Sequence, residues 1–305
     1  MKPSLSVKIG RFECANPTIL AAGILGVTGR LLIAVAEAGA GAVTTKSIGP
    51  EPREGFENPT VVRVNHGLLN AMGLANPGME AFKRELEEVK RNTRVPVIAS
   101  IFGFSSDDFA TVAAEMEEAG ADAIELNISC PHVEAVGREI GEKPDLVTKT
   151  VKTVKGEVDL EVFTKVSPNV TDVVEIARAA ESAGTDAIIA INTVRGMKID
   201  VETGRPILSA GIGGLSGPAI RPIAVRSVYE ISKAVKIPVI GCGGIERWED
   251  AVEFILAGAS AVEIGTAIMD RELQVFKEVV AGIESYLTEK GCSEVSEIVG
   301  RSHRY

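Results

Sequence analysis

The chain has 305 residues and a formal net charge of −10, with 45% hydrophobic and 24% charged residues. This length suits one large barrel or two ordinary domains, and the composition is that of a globular protein. No basic cluster favours nucleic acid, no apolar run approaches the roughly 18 residues of a membrane span, and residues 1–13 lack the apolar core of a signal peptide. We therefore expect a cytoplasmic protein that binds neither nucleic acid nor a membrane.

The cysteines and histidines are dispersed. The four cysteines are Cys14, Cys130, Cys242 and Cys292, and no two form a Cys-x-x-Cys unit. The three histidines show no metal-ligand spacing either. We expect no metal site in this chain, and unpaired cysteines fit a reducing compartment.

Apolar strand segments alternate with helical segments after a short amino-terminal hairpin. The predicted strands are Thr18–Gly23, Ala42–Ser47, Val95–Phe102, Ala123–Ser129, Leu160–Val166, Ala187–Thr193, Pro238–Gly241 and Ala261–Thr266. The predicted helices are Thr28–Ala38, Gly78–Arg91, Ser105–Ala119, Asp145–Lys155, Thr171–Ala183, Pro218–Val235, Glu246–Ala257 and Leu273–Lys290. Continuous Val, Ile and Ala runs indicate parallel strands that are buried on both faces.

Eight such units predict an α/β fold, a (β/α)8 TIM barrel that forms a single domain over residues 1–305. The alternative is a doubly wound open sheet, but no Gly-x-Gly-x-x-Gly follows the first strand. Three long segments, Ile48–Pro77, Pro131–Pro144 and Val194–Gly217, follow strands two, four and six. We expect these to be irregular active-site loops, because structureless loops of this length are uncommon without a function.

The segment Ala123–His132, AIELNISCPH, is the most informative stretch. Pro131 cannot donate to a sheet ladder, so Asn127, Ser129 and Cys130 should lie at the carboxyl end of a core strand. Barrel enzymes keep their catalytic residues at that end. The thiol of Cys130 is a candidate acid or base, and the alternative is a buried structural cysteine.

Polar residues also end the other predicted strands, and in a barrel they converge on one mouth. They are Lys46, Ser47, Ser100, Lys165, Ser167, Asn192 and Thr193. Such a set usually surrounds a polar ligand, because buried polar groups need partners. Amide side chains at Asn70, Asn127 and Asn192 suit an amide-like heterocycle, although Asn70 could instead serve a turn.

Glycines follow the last two predicted strands, at Gly243–Gly244 and Gly265–Thr266. Backbone N–H groups at these positions of a barrel commonly bind phosphate, and glycine lets the backbone approach the anion. The alternative is a pair of tight turns. The sequence therefore predicts a phosphorylated ligand that also offers a polar ring.

With these motifs the chain resembles the dihydroorotate dehydrogenases, which are FMN enzymes of pyrimidine synthesis. The resemblance covers nearly the whole length. Its motifs are TKS at 45–47, NAMGLANPG at 70–78, ELNISCPH at 125–132, KVSPNV at 165–170, NTVRGM at 192–197, GGLSGPAIRPIAVRSVYE at 213–230, GCGGI at 241–245 and EIGTA at 263–267. Cys130 in the catalytic loop resembles the soluble class 1 enzymes, and the 192–197 and 213–230 motifs resemble the NAD-linked class 1B subunit.

The resemblance implies a role for each matching residue. Cys130 would be the base that takes a proton from dihydroorotate, and Lys165 would stabilise negative charge on the flavin. Substrate contacts are implied for Lys46, Asn70, Ala71, Met72, Gly73, Leu74, Asn127, Asn192 and Thr193. FMN contacts are implied for Ala22, Lys46, Ser47, Ser100, Asn127, Lys165, Ile191, Gly217, Gly243, Gly244, Gly265 and Thr266. The resemblance also implies a homodimer of this chain joined to an electron-transfer subunit that carries FAD and a [2Fe–2S] cluster, in a heterotetramer with two copies of each.

Some positions depart from the family pattern. Ser100 replaces a usual asparagine, Ala22 a common serine and His132 a frequent asparagine, and the loop at 133–144 differs as well. The alternative functions are a fumarate-linked class 1A enzyme, a dihydropyrimidine dehydrogenase-like flavin barrel, an aldolase-type lyase with Lys165 as Schiff base, and a ligand-binding barrel without catalysis.

Overall fold

Eight parallel strands form a closed barrel in the computed structural model, which describes residues 2–128 and 137–305. In chain order the barrel strands are β1 (Thr18–Leu20), β2 (Ala42–Thr44), β3 (Val97–Ile101), β4 (Ala123–Asn127), β5 (Glu161–Val166), β6 (Ala187–Ala190), β7 (Val239–Cys242) and β8 (Ala259–Ile264). Each strand pairs in parallel with the next, and β8 pairs with β1, which closes the ring. The predicted (β/α)8 fold is confirmed.

The helices surround the barrel. The α-helices are Gly29–Glu37, Met79–Asn92, Ser106–Glu118, Gly137–Glu142, Pro144–Glu157, Val173–Ser182, Arg221–Ala234, Trp248–Ala257, Ile268–Arg271 and Gln274–Glu289. Short 3₁₀ helices cover Pro218–Ile220, Val295–Ile298 and Arg301–Arg304. No helix among the described residues is both long and apolar enough to cross a membrane.

The sequence explains the local structure of these elements. All five residues of β3 are buried, as expected for a strand that is covered on both faces. Ser105 begins the helix Ser106–Glu118 with a reciprocal capping box, in which its side chain and that of Asp108 each accept a backbone hydrogen bond. Asp172 caps the helix Val173–Ser182 by accepting from two backbone N–H groups.

Two of the three segments that we expected to be irregular loops contain strands. A four-stranded antiparallel sheet, which we name the accessory sheet, is formed in spatial order by Val194–Met197, Ile212–Ser216, Gly67–Asn70 and Val61–Val64. Two further short strands, Ile199–Asp200 and Arg205–Pro206, form a separate ribbon within the segment after β6. In the segment after β4, the helix Gly137–Glu142 lies where we expected irregular structure. The prediction of wholly irregular loops was therefore wrong.

The predicted amino-terminal hairpin is present and contacts the barrel. Its strands, Val7–Ile9 and Phe12–Cys14, pair antiparallel. The Phe12 ring packs edge-on against Phe163 of β5, with centroids 5.5 Å apart. Cys14 is fully buried, and burial raises the pKa of its thiol to about 12, so this cysteine fits a structural role.

Candidate active site

A cavity of about 510 Å³ opens at the carboxyl ends of the barrel strands. This volume lies in the usual range for small-molecule sites. The sequence-predicted residues that line it are Ala22, Lys46, Ser47, Asn70, Met72, Gly73, Leu74, Asn127, Lys165, Ile191, Asn192, Thr193, Gly217, Gly243, Gly244, Gly265 and Thr266. The barrel and the accessory sheet thus bring together residues from almost every segment of the chain.

Three predicted residues stand apart from this lining. Ala71 is fully buried beside Leu69 and Leu208, away from the cavity surface. Ser100 is also fully buried, and it lies one layer below the cavity, where its hydroxyl contacts two residues that line it. Cys130, together with Ser129, Pro131 and His132, lies outside the described residues.

An ion-pair cluster that we name the floor cluster lies at the base of the cavity and consists of Lys165, Glu125 and Glu263. The Lys165 ammonium on β5 is 2.6 Å from Glu263 Oε2 on β8 and 3.4 Å from Glu125 Oε2 on β4. The Lys165 side chain is 5% exposed and both glutamate side chains are 0% exposed. A buried charge is retained only when it is paired, so the two carboxyls explain how this lysine remains in the core.

The pKa values of Lys165 and Glu125 are both raised, for different reasons. Burial alone disfavours the ammonium, but the charges of Glu125 and Glu263 outweigh it and raise the pKa of Lys165 above its usual range. The pKa of Glu125 is raised to about 7. Burial is the main cause, Lys165 and the Ser100 hydroxyl oppose it, and the charge of Glu263 adds to it. Lys165 is therefore a permanent cation at neutral pH, whereas Glu125 exchanges a proton there.

A line of side-chain hydrogen bonds connects the floor cluster to the cavity wall. Ser100 Oγ donates to Glu125 Oε1 at 2.7 Å, and Ser47 Oγ lies 2.9 Å from Ser100 Oγ. Asn127 Nδ2 donates to Ser47 Oγ at 2.9 Å, and Asn192 Nδ2 is 3.4 Å from Asn127 Oδ1. Five side chains from four strands or strand ends are thus held in fixed relative positions.

The accessory sheet brings the third amide to the cavity. Asn70 ends the strand Gly67–Asn70 and pairs in register with Gly214, and its Nδ2 donates to Gly214 O at 3.2 Å. The alternative reading of Asn70 as a turn residue does not hold, since it lies in a strand. At the end of β6, Asn192 Oδ1 accepts from the Thr193 N–H at 2.7 Å, and Asn169 Nδ2 donates to Thr193 O at 2.9 Å. Asn169 is a supporting residue that the sequence analysis did not single out.

The glycines after β7 lie against neighbouring backbone and side chains. Gly244 has φ +77°, and a Cβ added there would lie 2.6 Å from Gly217 O. Gly243 has φ +139°, and its added Cβ would lie 2.7 Å from the Ala224 Cβ. These residues line the cavity where the 3₁₀ helix Pro218–Ile220 begins, next to Thr266, whose hydroxyl donates to Ser216 Oγ at 2.8 Å. Close approach and positive φ both require glycine at these positions.

The sequence analysis missed the two glutamates of the floor cluster. Both interrupt apolar strands, in AIELN and ASAVEI, and a carboxylate inside such a run must have a buried partner. That signal was present in the sequence. Cys242, at the end of β7, also lies at this site, and burial is the main cause that raises the pKa of its thiol, so it remains protonated at neutral pH.

Comparison with known proteins identifies the family. The model of the family described as dihydroorotate dehydrogenase matches residues 4–287. The chain belongs to the dihydroorotate dehydrogenase family. Enzymes of this family depend on a flavin.

Several relatives are similar over nearly their full length, and three of them bear the name "Dihydroorotate dehydrogenase B (NAD(+)), catalytic subunit". The one from Methanosarcina acetivorans is 53% identical, covering 95% of this chain and 94% of its own. The one from Pyrococcus abyssi is 51% identical, covering 97% and 98%. The one from Methanothermobacter thermautotrophicus is 50% identical, covering 98% of both chains. The words "catalytic subunit" imply that these relatives work with a further subunit.

Proposed function

We propose that this chain oxidises dihydroorotate to orotate with bound FMN, as the catalytic subunit of an NAD-linked dihydroorotate dehydrogenase of pyrimidine biosynthesis. The observation that carries the proposal is one shared cavity, in which a buried lysine, three amide side chains and a glycine cradle face the same space. The similarity to catalytic subunits of that name over nearly the whole chain supports it.

The residues of the cavity fit FMN. Gly217, Gly243 and Gly244 line the cavity, and each must be glycine because an added Cβ would lie within 3 Å of neighbouring protein atoms. Backbone without side chains at the cavity surface suits an anion that binds to N–H groups. We assign them, with Gly265 and Thr266, to the phosphate end. Lys46, Ser47, Asn127, Lys165, Ala22 and Ile191 are assigned to the ring end, and Ser100 acts there through Ser47. When bound, FMN supplies the acceptor for a hydride.

The chain's own residues bind the substrate and handle charge and protons. The Asn70, Asn127 and Asn192 amides donate and accept together, and so they orient a ring that carries N–H and C=O groups. Lys46 and the 72–74 backbone complete the substrate site. Lys165 stays charged and supplies a fixed positive charge in a site shielded from water, which favours the transfer of negative charge into the cavity.

Cys130 is the base in this proposal, because the family resemblance assigns it that role. A thiolate removes a proton more readily than a thiol, and a free cysteine has a pKa near 8.5, so activity should rise with pH in that range. Replacing Cys130 with serine keeps the size and removes the acidity. We expect Cys130→Ser to retain FMN and orotate binding but to reduce its flavin about 10²–10⁴-fold more slowly.

The partner in this proposal is an electron-transfer subunit with FAD and a [2Fe–2S] cluster, in a heterotetramer that is built on a homodimer of this chain in the cytoplasm. Among the described residues no group of three or more His, Cys, Asp or Glu side chains could hold a metal ion. The name "catalytic subunit" of the relatives supports a further subunit as the acceptor of the electrons.

The test uses the purified chain under anaerobic conditions. We expect a yellow protein whose flavin band is bleached by dihydroorotate, with turnover when an artificial dye is supplied and little turnover with NAD. A colourless chain that binds no FMN would refute the proposal. Efficient turnover with fumarate would assign the class 1A reaction instead, and NAD reduction by the chain alone would refute the need for a partner. If dihydroorotate reduced the flavin of Cys130→Ser at the parental rate, Cys130 would not be the base.

A further inference from the structure

The floor cluster has more carboxyl groups than cations. With both glutamates ionised, Lys165, Glu125 and Glu263 together carry a net charge of −1 in a site that is almost fully buried. Among the described residues, the titratable groups that face Glu125 are Lys165 from β5, Glu263 from β8 and Cys242 from β7, while β3 contributes the neutral Ser100. A net negative charge at the base of the cavity opposes the transfer of further negative charge into the cavity.

The second carboxyl oxygen of Glu263 strengthens this imbalance. Glu263 Oε2 contacts Lys165 at 2.6 Å, whereas Glu263 Oε1 is buried and has no hydrogen-bond partner within the described part of the chain. The lysine is therefore held mainly by Glu263, and Glu125 is the more loosely paired carboxyl, at 3.4 Å. Of the two, Glu125 is the group that can lose its negative charge with least loss of ion pairing.

Two hydroxyl groups connect Glu125 with the cavity. Glu125 Oε1 accepts from Ser100, whose oxygen lies 2.9 Å from that of Ser47, and Ser47 lines the cavity while Ser100 does not. Asn127 donates to Ser47 Oγ, so the Ser47 hydrogen is directed either at Ser100 or into the cavity. Each hydroxyl can accept one proton and donate another, which an amide or an aliphatic residue in their place could not do.

We propose that Glu125 is the proton-holding residue of this site, which takes up one proton through Ser47 and Ser100 when negative charge enters the cavity. The source of that charge is the hydride transfer of the proposed function, on which this inference rests. A hydride carries two electrons and one proton, and while the substrate gives this hydride and a proton to Cys130 the total charge of the site is unchanged. Once orotate and the proton held by Cys130 have left, the site carries one more negative charge than before. The proton that Glu125 gains returns the site to its earlier net charge.

The proton transfer is balanced at each oxygen. A water molecule in the cavity gives a proton to Ser47, Ser47 gives its own hydrogen to Ser100, and Ser100 gives its hydrogen to Glu125 Oε1. Each hydroxyl forms one O–H bond and breaks one, the hydroxide that remains takes up a proton from bulk water, and no electron moves in these steps. Afterwards the direction of the line is reversed, so that Glu125 donates to Ser100 and Ser47 donates into the cavity.

The charge environment supports this assignment. Burial, aided by the charge of Glu263, raises the pKa of Glu125 to about 7, so its proton exchanges near neutral pH. Added negative charge nearby raises that pKa further. A carboxyl of ordinary acidity would remain ionised throughout and could not respond in this way.

The test compares the flavin midpoint potential as a function of pH in four FMN-loaded chains: the parent, Glu125→Gln, Ser100→Ala and Glu161→Gln. Glu125→Gln keeps the shape and mimics the protonated state. We expect its midpoint potential to equal that of the parent near pH 5.5 and to be higher than that of the parent at pH 8. The slope of its potential against pH should be smaller than in the parent, by up to the slope that corresponds to one proton per two electrons. Ser100→Ala removes a hydrogen bond that favours the ionised form, so the parental transition should move to higher pH. Glu161→Gln removes a buried carboxyl at the opposite end of the barrel and should leave the parental curve unchanged.

A second measurement does not depend on the flavin. In the cofactor-free parent, the infrared band of a protonated buried carboxyl should disappear as the pH rises through about 7, and it should be absent from Glu125→Gln but present in Glu161→Gln. Identical potential curves for the parent and Glu125→Gln, or the absence of such a band in the parent, would overturn the inference. A chain that binds no FMN would refute the proposed function, and the infrared titration would still decide the state of Glu125.

Discussion

The two ends of one barrel strand hold charged residues in opposite ways. Glu161 begins β5 and Lys165 lies four residues later, near the end of the strand that faces the cavity. Glu161 accepts hydrogen bonds from the Arg11 backbone N–H at 2.6 Å and from Arg11 Nε at 3.1 Å, and the Arg11 side chain is 73% exposed. Lys165 instead lies between two carboxyls that no solvent reaches.

The difference in surroundings reverses the direction of the pKa shifts. At the amino end, burial raises the pKa of Glu161, but the hydrogen bonds from Arg11 outweigh it and lower the pKa below its usual value. At the cavity end, burial raises the pKa of Glu125 to about 7 against the opposition of Lys165. One carboxyl with one solvated cation is stable in its charged form, whereas two buried carboxyls that share one cation are not.

This contrast separates stability from function within one strand. The Arg11–Glu161 pair connects the amino-terminal hairpin to the barrel. The Glu161 carboxylate is hydrogen-bonded and paired with a cation that solvent reaches. The floor cluster leaves a carboxyl oxygen unpaired and a net charge buried, which a protein selected for stability alone would replace by apolar residues. Its position at the carboxyl ends of the strands, where barrel enzymes carry their active sites, explains why such a cluster is retained.

Of the substitutions that distinguish the two ends of β5, we expect Lys165→Ala to have the largest effect. Without the ammonium, two buried carboxyls face each other unpaired, and we expect the cofactor-free chain to lose about 3–5 kcal/mol of unfolding free energy at pH 8. Urea denaturation measures it. The loss should shrink at acid pH, where the carboxyls hold protons. In the FMN-loaded chain, flavin reduction by dihydroorotate should fall about 10²–10³-fold.

Arg11→Ala is the matched control for Lys165→Ala, since it also removes a cation that pairs with a glutamate. Because Arg11 is largely exposed, solvent replaces it, and we expect a much smaller loss of stability and no change in flavin reduction. Equal losses of stability in the two variants would contradict the distinction drawn between the ends.

We expect an effect of intermediate size when glycines at the two ends of the barrel are replaced by alanine. Gly244→Ala places a Cβ 2.6 Å from Gly217 O at a positive φ, in the proposed phosphate cradle. The loss of one hydrogen bond to a charged group weakens binding by about 10–100-fold, and we expect a loss of that size for FMN in a fluorescence titration.

Gly10→Ala provides the comparison, because Gly10 also has a positive φ, +60°, and its added Cβ would lie 2.8 Å from Glu161 Oε1. That atom ends a flexible side chain at the amino end of the barrel. We expect Gly10→Ala to lower the thermal midpoint while FMN affinity stays parental. Weaker FMN binding in Gly10→Ala would mean that Gly244→Ala reports general destabilisation rather than the cradle.

The barrel was predictable from the sequence because its signal is local. Each strand is a short apolar run between turn residues and helices, as in VPVIASIF, and the structure differs mainly in ending the strands earlier. The accessory sheet has no such signal. Its central pair joins Asn70 to Gly214, 144 residues apart in the chain, and the strand Ile212–Ser216 contains two glycines, which disfavour strands.

The polar residues of the site were predictable one at a time, but their connections were not. Ser100 illustrates this, because the sequence indicated a polar side chain at a strand end, and only the three-dimensional arrangement reveals that it lies below the cavity between Ser47 and Glu125. Glu125 and Glu263 lie on β4 and β8, on different sides of the ring. Their pairing with one lysine depends on closure of the barrel, which no sequence spacing expresses.

The smallest expected effect is on the pH dependence of folding stability, to which Glu161 and Glu125 contribute with opposite signs. Glu161 has a lowered pKa when folded, so its stabilisation is present above the unfolded pKa of about 4.3 and is lost as the pH falls through the lower folded value. For Glu125 the sign is opposite. The folded chain keeps that proton longer than the unfolded chain, so its contribution to stability is largest at acid pH and is lost as the pH rises through about 7.

We therefore expect Glu161→Gln to cost about 1 kcal/mol at pH 7, since Arg11 then bonds a neutral acceptor in a partly solvated pair. That difference should disappear as the pH falls well below the unfolded pKa of about 4.3. For Glu125→Gln, the stability relative to the parent should instead improve as the pH rises from 5 to 8. Urea denaturation of the cofactor-free chains at several pH values measures both differences. If both variants change with pH in the same direction, the two ends of β5 do not differ in the way that their hydrogen bonds and burial indicate.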